Sequence, residues 1–310
     1  MITPSAAGNV PPSAVSGEIR RARWYSHSYN RANVYRLAAK LCWLPRPMRL
    51  ALARTVGRLA PRLMPTERDV VRATLMQVTG ITDSGRLDEL TTRTFTDFAM
   101  CFSDLMSTNR QPVARLGKAV ARVEGEYRVA GLEPPLISLT AHVGNWELAG
   151  RLLAGRTERT THVVVAEEEA LHLEQWVRRN GDGVRFVTRS RPTIALELVA
   201  ALRRGEVVAV QGDRALGTRG DVLIPFFGRP APFPLGPFLL ARAVGVPLAP
   251  AFCVLERDGR YTVKVVVPIV VHRGSEEDAA RAWVSSLENV VRQYPTQWFN
   301  FFDVWRSVSM

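Results

Sequence analysis

The 310-residue sequence has few cysteines and no long uncharged apolar run. Its three cysteines (Cys42, Cys101 and Cys253) are too few and too scattered for a disulfide framework or a metal site, so we expect small core residues in a reducing compartment. The most apolar stretch, residues 235–255, contains Arg242 and three prolines, which argues against a membrane-spanning helix. The first residues lack the apolar segment and cleavage site of a secretory signal. We therefore expect a soluble or peripheral protein, not an integral membrane protein.

Acidic residues are absent from one continuous region near the N-terminus. No Asp or Glu occurs in residues 19–66, whereas the same region holds eleven Lys and Arg residues. Because the formal net charge of the whole chain is +12, most of the positive charge belongs to this region.

Apolar and aromatic residues alternate with the basic ones in residues 19–66. Pro45 and Pro47 divide the region into two short helices. A basic, amphipathic, acid-free region is typical of helices that lie on an anionic membrane surface. The alternatives are packing of the apolar face on the rest of the protein, and nucleic-acid binding. No nucleic-acid motif accompanies the charge, so we expect a lipid membrane partner and no nucleic acid.

Composition and hydrophobic pattern divide the rest of the chain into three parts. Residues 1–18 are rich in Pro, Ser, Ala and Gly and are expected to be a disordered leader. Residues 67–128 are predicted to be helical, and residues 129–310 are predicted to be an α/β part with a mixed sheet. Its strand-like runs are 136–141, 161–166, 184–188, 206–211, 222–225, 248–255 and 261–268, and its helix-like runs are 145–154, 168–180, 193–204, 235–244 and 276–294.

The apolar run 136–141 leads directly into a histidine. His142 therefore lies where a predicted strand ends and a helix begins, which is a common ligand site in α/β proteins. Glu147, in the first turn of that helix, can fold back against the imidazole, fix its tautomer and leave the other ring nitrogen free to accept a proton. Alternatively, His142 is an ordinary loop residue and Glu147 only complements the helix dipole.

A second polar group follows the strand-like run 206–211. Asp213 and Arg214 come directly after Gly212, ahead of a glycine-rich loop. A strand that delivers an acid and an arginine to its carboxyl end can complete a site with His142, and the planar guanidinium of Arg214 can bind a phosphate or a carboxylate. A surface turn is the alternative, because Gly-Asp is common turn chemistry.

Five segments occur in a specific order: H-V-G-N-W-E (142–147), V-V-A-V-Q-G-D-R (207–214), P-F-F-G-R-P-A (225–231), G-P-F-L-L-A-R-A-V-G-V-P-L-A-P (236–250) and Q-W-F-N-F-F-D-V-W (297–305). This combination, over about residues 33–306, resembles the bacterial lipid A lauroyl/myristoyl acyltransferase family. Phosphatidylinositol mannoside acyltransferases belong to the same group, within the wider glycerophosphate and lysophospholipid acyltransferases.

The resemblance implies a glycerophosphate-acyltransferase-like mixed sheet flanked by helices, with residues 67–310 as the acyltransferase domain. It also implies transfer of a fatty acyl group from an acyl carrier protein or coenzyme A thioester to a hydroxyl of a lipid. The family's histidine corresponds to His142, its acid to Glu147 and its acidic turn to Asp213. The mannoside enzymes more often have Asp at the position of Glu147, so the subfamily stays open.

The expected chemistry needs no cofactor and no metal, and His162, His172 and His272 do not form a ligand set. The base removes the proton of the acceptor hydroxyl, and backbone N–H groups of residues 143–145 are expected to stabilise the oxyanion. Because glycine has no Cβ, substrate can approach the backbone at residue 144. Arg189, Arg191 and Arg214 are candidates for phosphate binding. The predicted substrate-binding residues are Gly144, Asn145, Arg189, Asp213, Arg214 and Phe227.

Two other functions fit the same pattern. A thioesterase would use water in place of the lipid hydroxyl, and a non-catalytic lipid-binding protein would keep the fold without the reaction. For the acyltransferase, we expect peripheral attachment at the cytoplasmic face of the inner membrane.

Overall fold

The computed structural model describes residues 32–108, 113–165, 183–217 and 220–305. The expected leader 1–18, the start of the basic region and the expected helix 168–180 lie outside the described residues. Within them, the chain is an α/β protein with a seven-stranded mixed sheet flanked by helices, as the sequence predicts.

The sheet has the strand order β1-β9-β8-β2-β5-β3-β4, and its neighbours are parallel except for the antiparallel pair β8–β9. A separate antiparallel hairpin contains β6 and β7. The strands are β1 Val120–Glu124, β2 Leu136–Thr140, β3 Thr161–Val165, β4 Val184–Thr188, β5 Val207–Gln211, β6 Asp221–Phe226, β7 Arg229–Pro234, β8 Leu248–Leu255 and β9 Tyr261–Val265.

Helices cover both faces of the sheet. The helices are α1 Ala32–Leu41, α2 Arg46–Leu63, α3 Pro65–Thr79, α4 Ser84–Thr108, α5 Val113–Leu116, α6 Trp146–Thr157, α7 Ile194–Arg203, α8 Gly236–Val244 and α9 Glu276–Gln293. Ile137 and Leu139 of β2 belong to the core that contains residues of α7, α8 and α9. Residues of α4 and α6 belong to a second core with β8 and β9. Every residue of β2 is buried, which explains its nearly continuous apolar sequence.

The central pair of strands sets the position of the residues that follow them. β2 and β5 are parallel and in register from Leu136 opposite Val207 to Thr140 opposite Gln211. Their carboxyl ends therefore meet at one edge of the sheet, and the next few residues of both strands lie side by side.

Helix α2 packs on α4 through one of its two apolar faces. A Cβ on Gly57 would lie 2.5 Å from Cα of Thr96, so the two helix backbones are in close contact there. The other face is exposed and carries Met48, Leu52, Val56, Leu59 and Leu63. The expected packing therefore applies to one face of α2, and the other face is exposed. Over the described ranges, no helix is long and apolar enough to cross a membrane.

Two strands depart from the sequence prediction. β1 lies inside residues 67–128, which were expected to be helical, and pairs with β9 at the edge of the sheet. β7 was not predicted because it contains Pro230, Pro232 and Pro234. Proline removes a backbone donor, but in a two-stranded hairpin each strand has a free side that needs no donor.

Candidate active site

His142 and Asp213 form a buried pair at the carboxyl edge of β2 and β5. His142 Nδ1 lies 2.8 Å from Asp213 Oδ1, and the backbone N–H of His142 donates to Oδ2 at 3.0 Å. Trp298 Nε1 also donates to Oδ2, at 3.1 Å. Both partners are almost inaccessible, with 5% of His142 and 3% of Asp213 exposed. The carboxylate is therefore fixed by three donors in a dry environment.

The charge state of Asp213 follows from these contacts. Burial by itself would raise the pKa of the carboxyl, but the His142 imidazole, the Arg214 guanidinium and the His142 N–H together lower it to about 2. In the neutral form of His142, Nδ1 carries the proton and donates to the ionised Asp213, because only that tautomer gives the carboxylate a donor. Nε2 is then the ring nitrogen that can accept a proton.

The carboxylate on Nδ1 is thus Asp213, in the place that sequence reasoning gave to Glu147. Glu147 lies in the first turn of α6 and is 6% exposed. The two acids come from different elements: Asp213 follows β5, whereas Glu147 belongs to α6. Sequence reasoning assigned Asp213 to the substrate instead, because a residue 71 positions away gives no local sign that it contacts the histidine.

The turn between β2 and α6 does not offer the backbone donors expected for an oxyanion. The N–H of Val143 donates to Ala141 O at 2.7 Å, that of Gly144 to Gln297 O at 3.0 Å, and that of Asn145 to Cys253 O at 2.8 Å. The expectation of free donors at residues 143–145 is therefore wrong, because each of these N–H groups already has a backbone acceptor, in the turn itself or in a neighbouring segment.

Gly144 is required by the packing of this turn. Its φ is +57°, and a Cβ there would overlap the carbonyl oxygen of Cys253 in β8. The missing side chain makes room for the neighbouring strand and not, as expected, for the substrate. Glycine lets the turn pass against β8 and places His142 above the sheet.

The C-terminal aromatic segment forms one wall of the site. The N–H of Phe299 donates to His142 O at 2.9 Å. Arg214 donates from Nη2 to Phe299 O at 2.9 Å and from Nε to Asn300 Oδ1 at 3.2 Å. The predicted phosphate ligand Arg214 therefore ties the end of β5 to this wall, and its charge also acts on Asp213.

An apolar cavity of about 510 Å³ lies between α6 and the sheet. Trp146, whose ring lies 5.0 Å from that of His142, lines it together with Glu147. The central strands contribute small residues there: Ser138, Thr140, Ala209, Ala249 and Ala251. Small side chains on the face below α6 leave open a volume that larger ones would fill.

The cavity extends along the strands from the catalytic edge. Leu136 and Thr140, the first and last residues of β2, both line it, so it covers four residue steps, roughly 13 Å. Its volume is in the range of sites for small organic ligands. The shape suits an extended apolar chain that begins beside His142.

The other predicted substrate-binding residues are dispersed. Asn145 is fully buried, and its Oδ1 caps α6 by accepting from Leu148 N at 3.2 Å. Arg189 is exposed at the end of β4, three strand spacings from β2, or roughly 14 Å. Phe227 lies in the β6–β7 turn beneath the Arg292 guanidinium, 5.0 Å away, and does not line the apolar cavity. Of these three, only Asn145 lies next to His142.

Sequence reasoning missed two tryptophans of the site. Trp298 holds Asp213, and Trp146 separates the histidine from the apolar cavity. Both belong to the sequence segments that carry the family resemblance. The sequence alone does not distinguish an indole that donates to a carboxylate from one that only packs in the core. Among the described residues, no cluster of three or more His, Cys, Asp or Glu side chains is placed to hold a metal.

Comparison with known proteins identifies the family of the chain. Residues 32–307 match the family model described as bacterial lipid A biosynthesis acyltransferase. A phosphatidylinositol mannoside acyltransferase of Mycobacterium tuberculosis is 26% identical over 245 residues, covering 76% of each chain. One from Mycolicibacterium smegmatis is 23% identical over 241 residues, covering 76% of this chain and 78% of the relative. The chain therefore belongs to the bacterial lipid A biosynthesis acyltransferase family, and it is an acyltransferase of lipid biosynthesis.

Proposed function

We propose that this enzyme transfers a fatty acyl group from a thioester to a hydroxyl of a glycolipid or lysophospholipid, with His142 as general base. The observation that carries the proposal is the buried His142–Asp213 pair, with Nδ1 and Oδ1 2.8 Å apart, whose imidazole contacts Trp146 in the lining of an apolar cavity. The donor is acyl carrier protein or coenzyme A, and no further cofactor is required.

In the proposed reaction, Nε2 of His142 removes the proton of the acceptor hydroxyl as its oxygen attacks the thioester carbonyl carbon. The tetrahedral intermediate collapses with cleavage of the carbon–sulfur bond. The thiolate leaves and takes the proton from Nε2, which restores the neutral imidazole. Asp213 holds the ring through Nδ1 and stabilises the imidazolium, and such general-base catalysis typically contributes about 10²–10⁴-fold in rate.

Glu147 supplies a second negative charge near the base in this proposal. It is buried in the first turn of α6, five residues after His142, and it lines the cavity. A buried carboxylate beside the reaction centre favours the imidazolium form that develops in the transition state. Asp213 sets the tautomer, and Glu147 adds electrostatic stabilisation.

The apolar cavity is the proposed site of the acyl chain. It lies along β2 on the side of the sheet that α6 covers, with Trp146 near its catalytic end. Burial of an apolar chain in this cavity stabilises the bound state by about 0.8 kcal/mol for each methylene group removed from water. The thioester carbonyl is thereby held near His142.

The exposed face of α2 is the proposed membrane contact. The side chains of Trp43 and Leu63 are 87% and 80% exposed, at the two ends of the stripe that contains Met48, Leu52, Val56 and Leu59. Arg58 and Arg62 lie beside this stripe, and residues 19–66 contain no acid. An anionic bilayer surface matches both the apolar side chains and the charge. The proposed location is the cytoplasmic face of the inner membrane.

Liposome binding tests this contact. Sedimentation with vesicles of mixed anionic phospholipid is expected to decrease steeply with salt and to fall in Trp43→Ala and in Arg58→Gln/Arg62→Gln. Replacement of two exposed arginines elsewhere (Arg203→Gln/Arg273→Gln) provides the charge-matched control. Vesicle binding that changes neither with the salt concentration nor with these substitutions would contradict the membrane contact.

The reaction is tested by product identity. Purified enzyme is incubated with labelled palmitoyl-coenzyme A, or with the acyl carrier protein thioester, and a total lipid extract of the host. A labelled lipid that forms with wild type and is lost in His142→Ala and Glu147→Gln is the expected result, and its mass identifies the acceptor. Labelled free fatty acid alone would instead favour a thioesterase.

A further inference from the structure

A second cavity, of about 570 Å³, lies on the other side of the first turn of α6. We call it the basic cavity. Its walls come from the α1–α2 junction, the end of α4, the α5 region and the start of α6. The lining residues used below are Trp43, Arg46, Arg49, Asp104, Arg115, Lys118, Asn145, Leu148 and Tyr261.

The basic cavity has an excess of positive charge. Four cationic side chains line it, namely those of Arg46, Arg49, Arg115 and Lys118, whereas Asp104 is the one carboxylate among its described lining residues. Arg115 and Lys118 are exposed, and neither forms an ion pair with an acid in the described ranges. The net positive charge of these lining residues would attract an anion into the cavity.

The carboxylate of Asp104 is already fully used. It accepts from Arg46 Nη2 at 2.7 Å, from Arg49 Nη2 at 3.3 Å and from the Tyr261 hydroxyl at 3.0 Å. This network joins α2, α4 and β9 and holds the two arginines at the cavity wall. Asp104 has little capacity left to neutralise Arg115 or Lys118.

One buried donor in the wall has no acceptor. Nε of Arg49 makes no hydrogen bond with the described residues, although only 4% of Arg49 is exposed. The fully buried Asn145 side chain interacts with the Tyr261 hydroxyl. A buried donor left unsatisfied costs about 1–3 kcal/mol, more when it is charged. A ligand with several acceptor oxygens would remove that cost.

The position of the basic cavity relates it to the reaction. Asn145 and Leu148 line it, while Trp146 and Glu147, in the same helical turn, line the apolar cavity. His142 immediately precedes this turn. Trp43, 87% exposed, lies at the outer rim and continues the apolar stripe of α2. The two cavities thus meet the same helical turn from different sides, and His142 directly precedes that turn.

We propose that the basic cavity binds a phosphate group of a substrate, either the phosphodiester of the lipid acceptor or the phosphates of the acyl donor. Phosphate oxygens suit the guanidinium and ammonium donors of Arg115 and Lys118 and Nε of Arg49. This inference rests on the proposed function, since it assigns part of that enzyme's substrate to a cavity beside His142.

The test measures binding without turnover, so a failure of phosphate binding is distinguishable from a failure of acyl transfer. Two soluble probes, coenzyme A and dihexanoyl phosphatidylinositol, are titrated into the full chain by calorimetry. The variant Arg115→Gln/Lys118→Gln changes only exposed side chains, so the fold is expected to persist. Loss of two charge-assisted contacts is expected to weaken the phosphate-bearing substrate roughly 100-fold.

Charge reversal in Arg115→Glu/Lys118→Glu should weaken that substrate further. Arg203→Gln/Arg273→Gln, which changes the net charge by the same amount as Arg115→Gln/Lys118→Gln but outside the cavity lining, should leave its affinity unchanged. Weakening confined to coenzyme A assigns the cavity to the donor, and weakening confined to the phosphatidylinositol assigns it to the acceptor. Unchanged binding of both probes in both cavity variants, or no binding of either probe to wild type, would overturn the proposal.

Discussion

Two edges of the central sheet each hold a buried histidine hydrogen-bonded to a carboxylate. At the carboxyl edge, His142 Nδ1 is 2.8 Å from Asp213 Oδ1. At the amino edge, His162 Nε2 is 2.9 Å from Glu206 Oε2. Both imidazoles are less than a tenth exposed. By the nitrogen–oxygen distance and the burial of the imidazole alone, the two pairs are nearly equivalent.

Their surroundings differ. Asp213 accepts from the backbone N–H of His142 and from Trp298 as well as from the imidazole, and the His142 ring contacts Trp146, which lines the apolar cavity. Glu206 shares its Oε2 between His162 and Arg204, which is itself exposed and 2.7 Å away. His162 lines neither described cavity. The hydrogen-bond distance therefore does not distinguish the two pairs, whereas the contact of the His142 ring with a cavity-lining residue does.

The largest expected contrast is between the two histidines. His142→Gln should lower the rate of acyl transfer about 10²–10⁴-fold, because it removes the proton acceptor. His162→Gln should keep the rate near that of wild type, since a side-chain amide can still donate to Glu206. Initial rates of labelled lipid formation provide the measurement. Equal losses in the two variants would mean that burial, not base catalysis, explains the effect.

The carboxylates give the next contrast. Asp213→Asn keeps the size of the side chain but replaces an acceptor by a donor at Nδ1, which favours the wrong tautomer, and we expect a loss on the order of 10²-fold in kcat. Glu206→Gln should change kcat little. Steady-state kinetics with matched circular dichroism spectra separate loss of catalysis from loss of fold. A drop confined to KM would contradict the positioning role of Asp213.

Local signals were sufficient for most elements near the site. The apolar run before His142 and the alternating runs 184–188 and 248–255 match β2, β4 and β8 closely, because buried strands carry their pattern in consecutive residues. β1 was missed because it is an edge strand with three exposed residues of five. Such a strand is selected by its partner β9 and has little apolar pattern of its own.

The site itself was predicted only in part for a related reason. His142 could be found from its position after a strand, whereas its partner depends on which strands are neighbours. Glu147 is close in sequence, and Asp213 becomes close because β5 lies beside β2 in the sheet. Contacts of this kind, with those of Trp298 and Cys253, follow from topology and not from spacing along the chain.

One glycine lies beside each histidine–carboxylate pair, and the two differ in their surroundings. Gly144, at the carboxyl edge, and Gly205, just before Glu206, both have positive φ, but only at Gly144 would a Cβ overlap another backbone. Gly205→Ala should cost about 1 kcal/mol of the free energy of unfolding, from backbone strain alone. Gly144→Ala should cost about 2–5 kcal/mol and also reduce activity, because the turn that holds His142 must move. Urea denaturation measures both, and equal costs would contradict the close approach of Cys253.

The smallest expected effect concerns acid stability. The pKa of Asp213 in the folded protein is about 2, below the reference value of 3.8, so the carboxylate is stabilised by folding. This contribution is complete above pH 4 and is lost as the pH falls toward 2, and its size is about 2 kcal/mol. Asp213→Asn should therefore flatten the decrease in the free energy of unfolding between pH 4 and pH 2. Glu206→Gln should flatten it less, because Glu206 is partly exposed and water screens its contacts with Arg204 and His162. Urea titrations at several pH values measure these slopes, and a steeper acid decrease in Asp213→Asn than in wild type would show that the buried pair does not stabilise the fold.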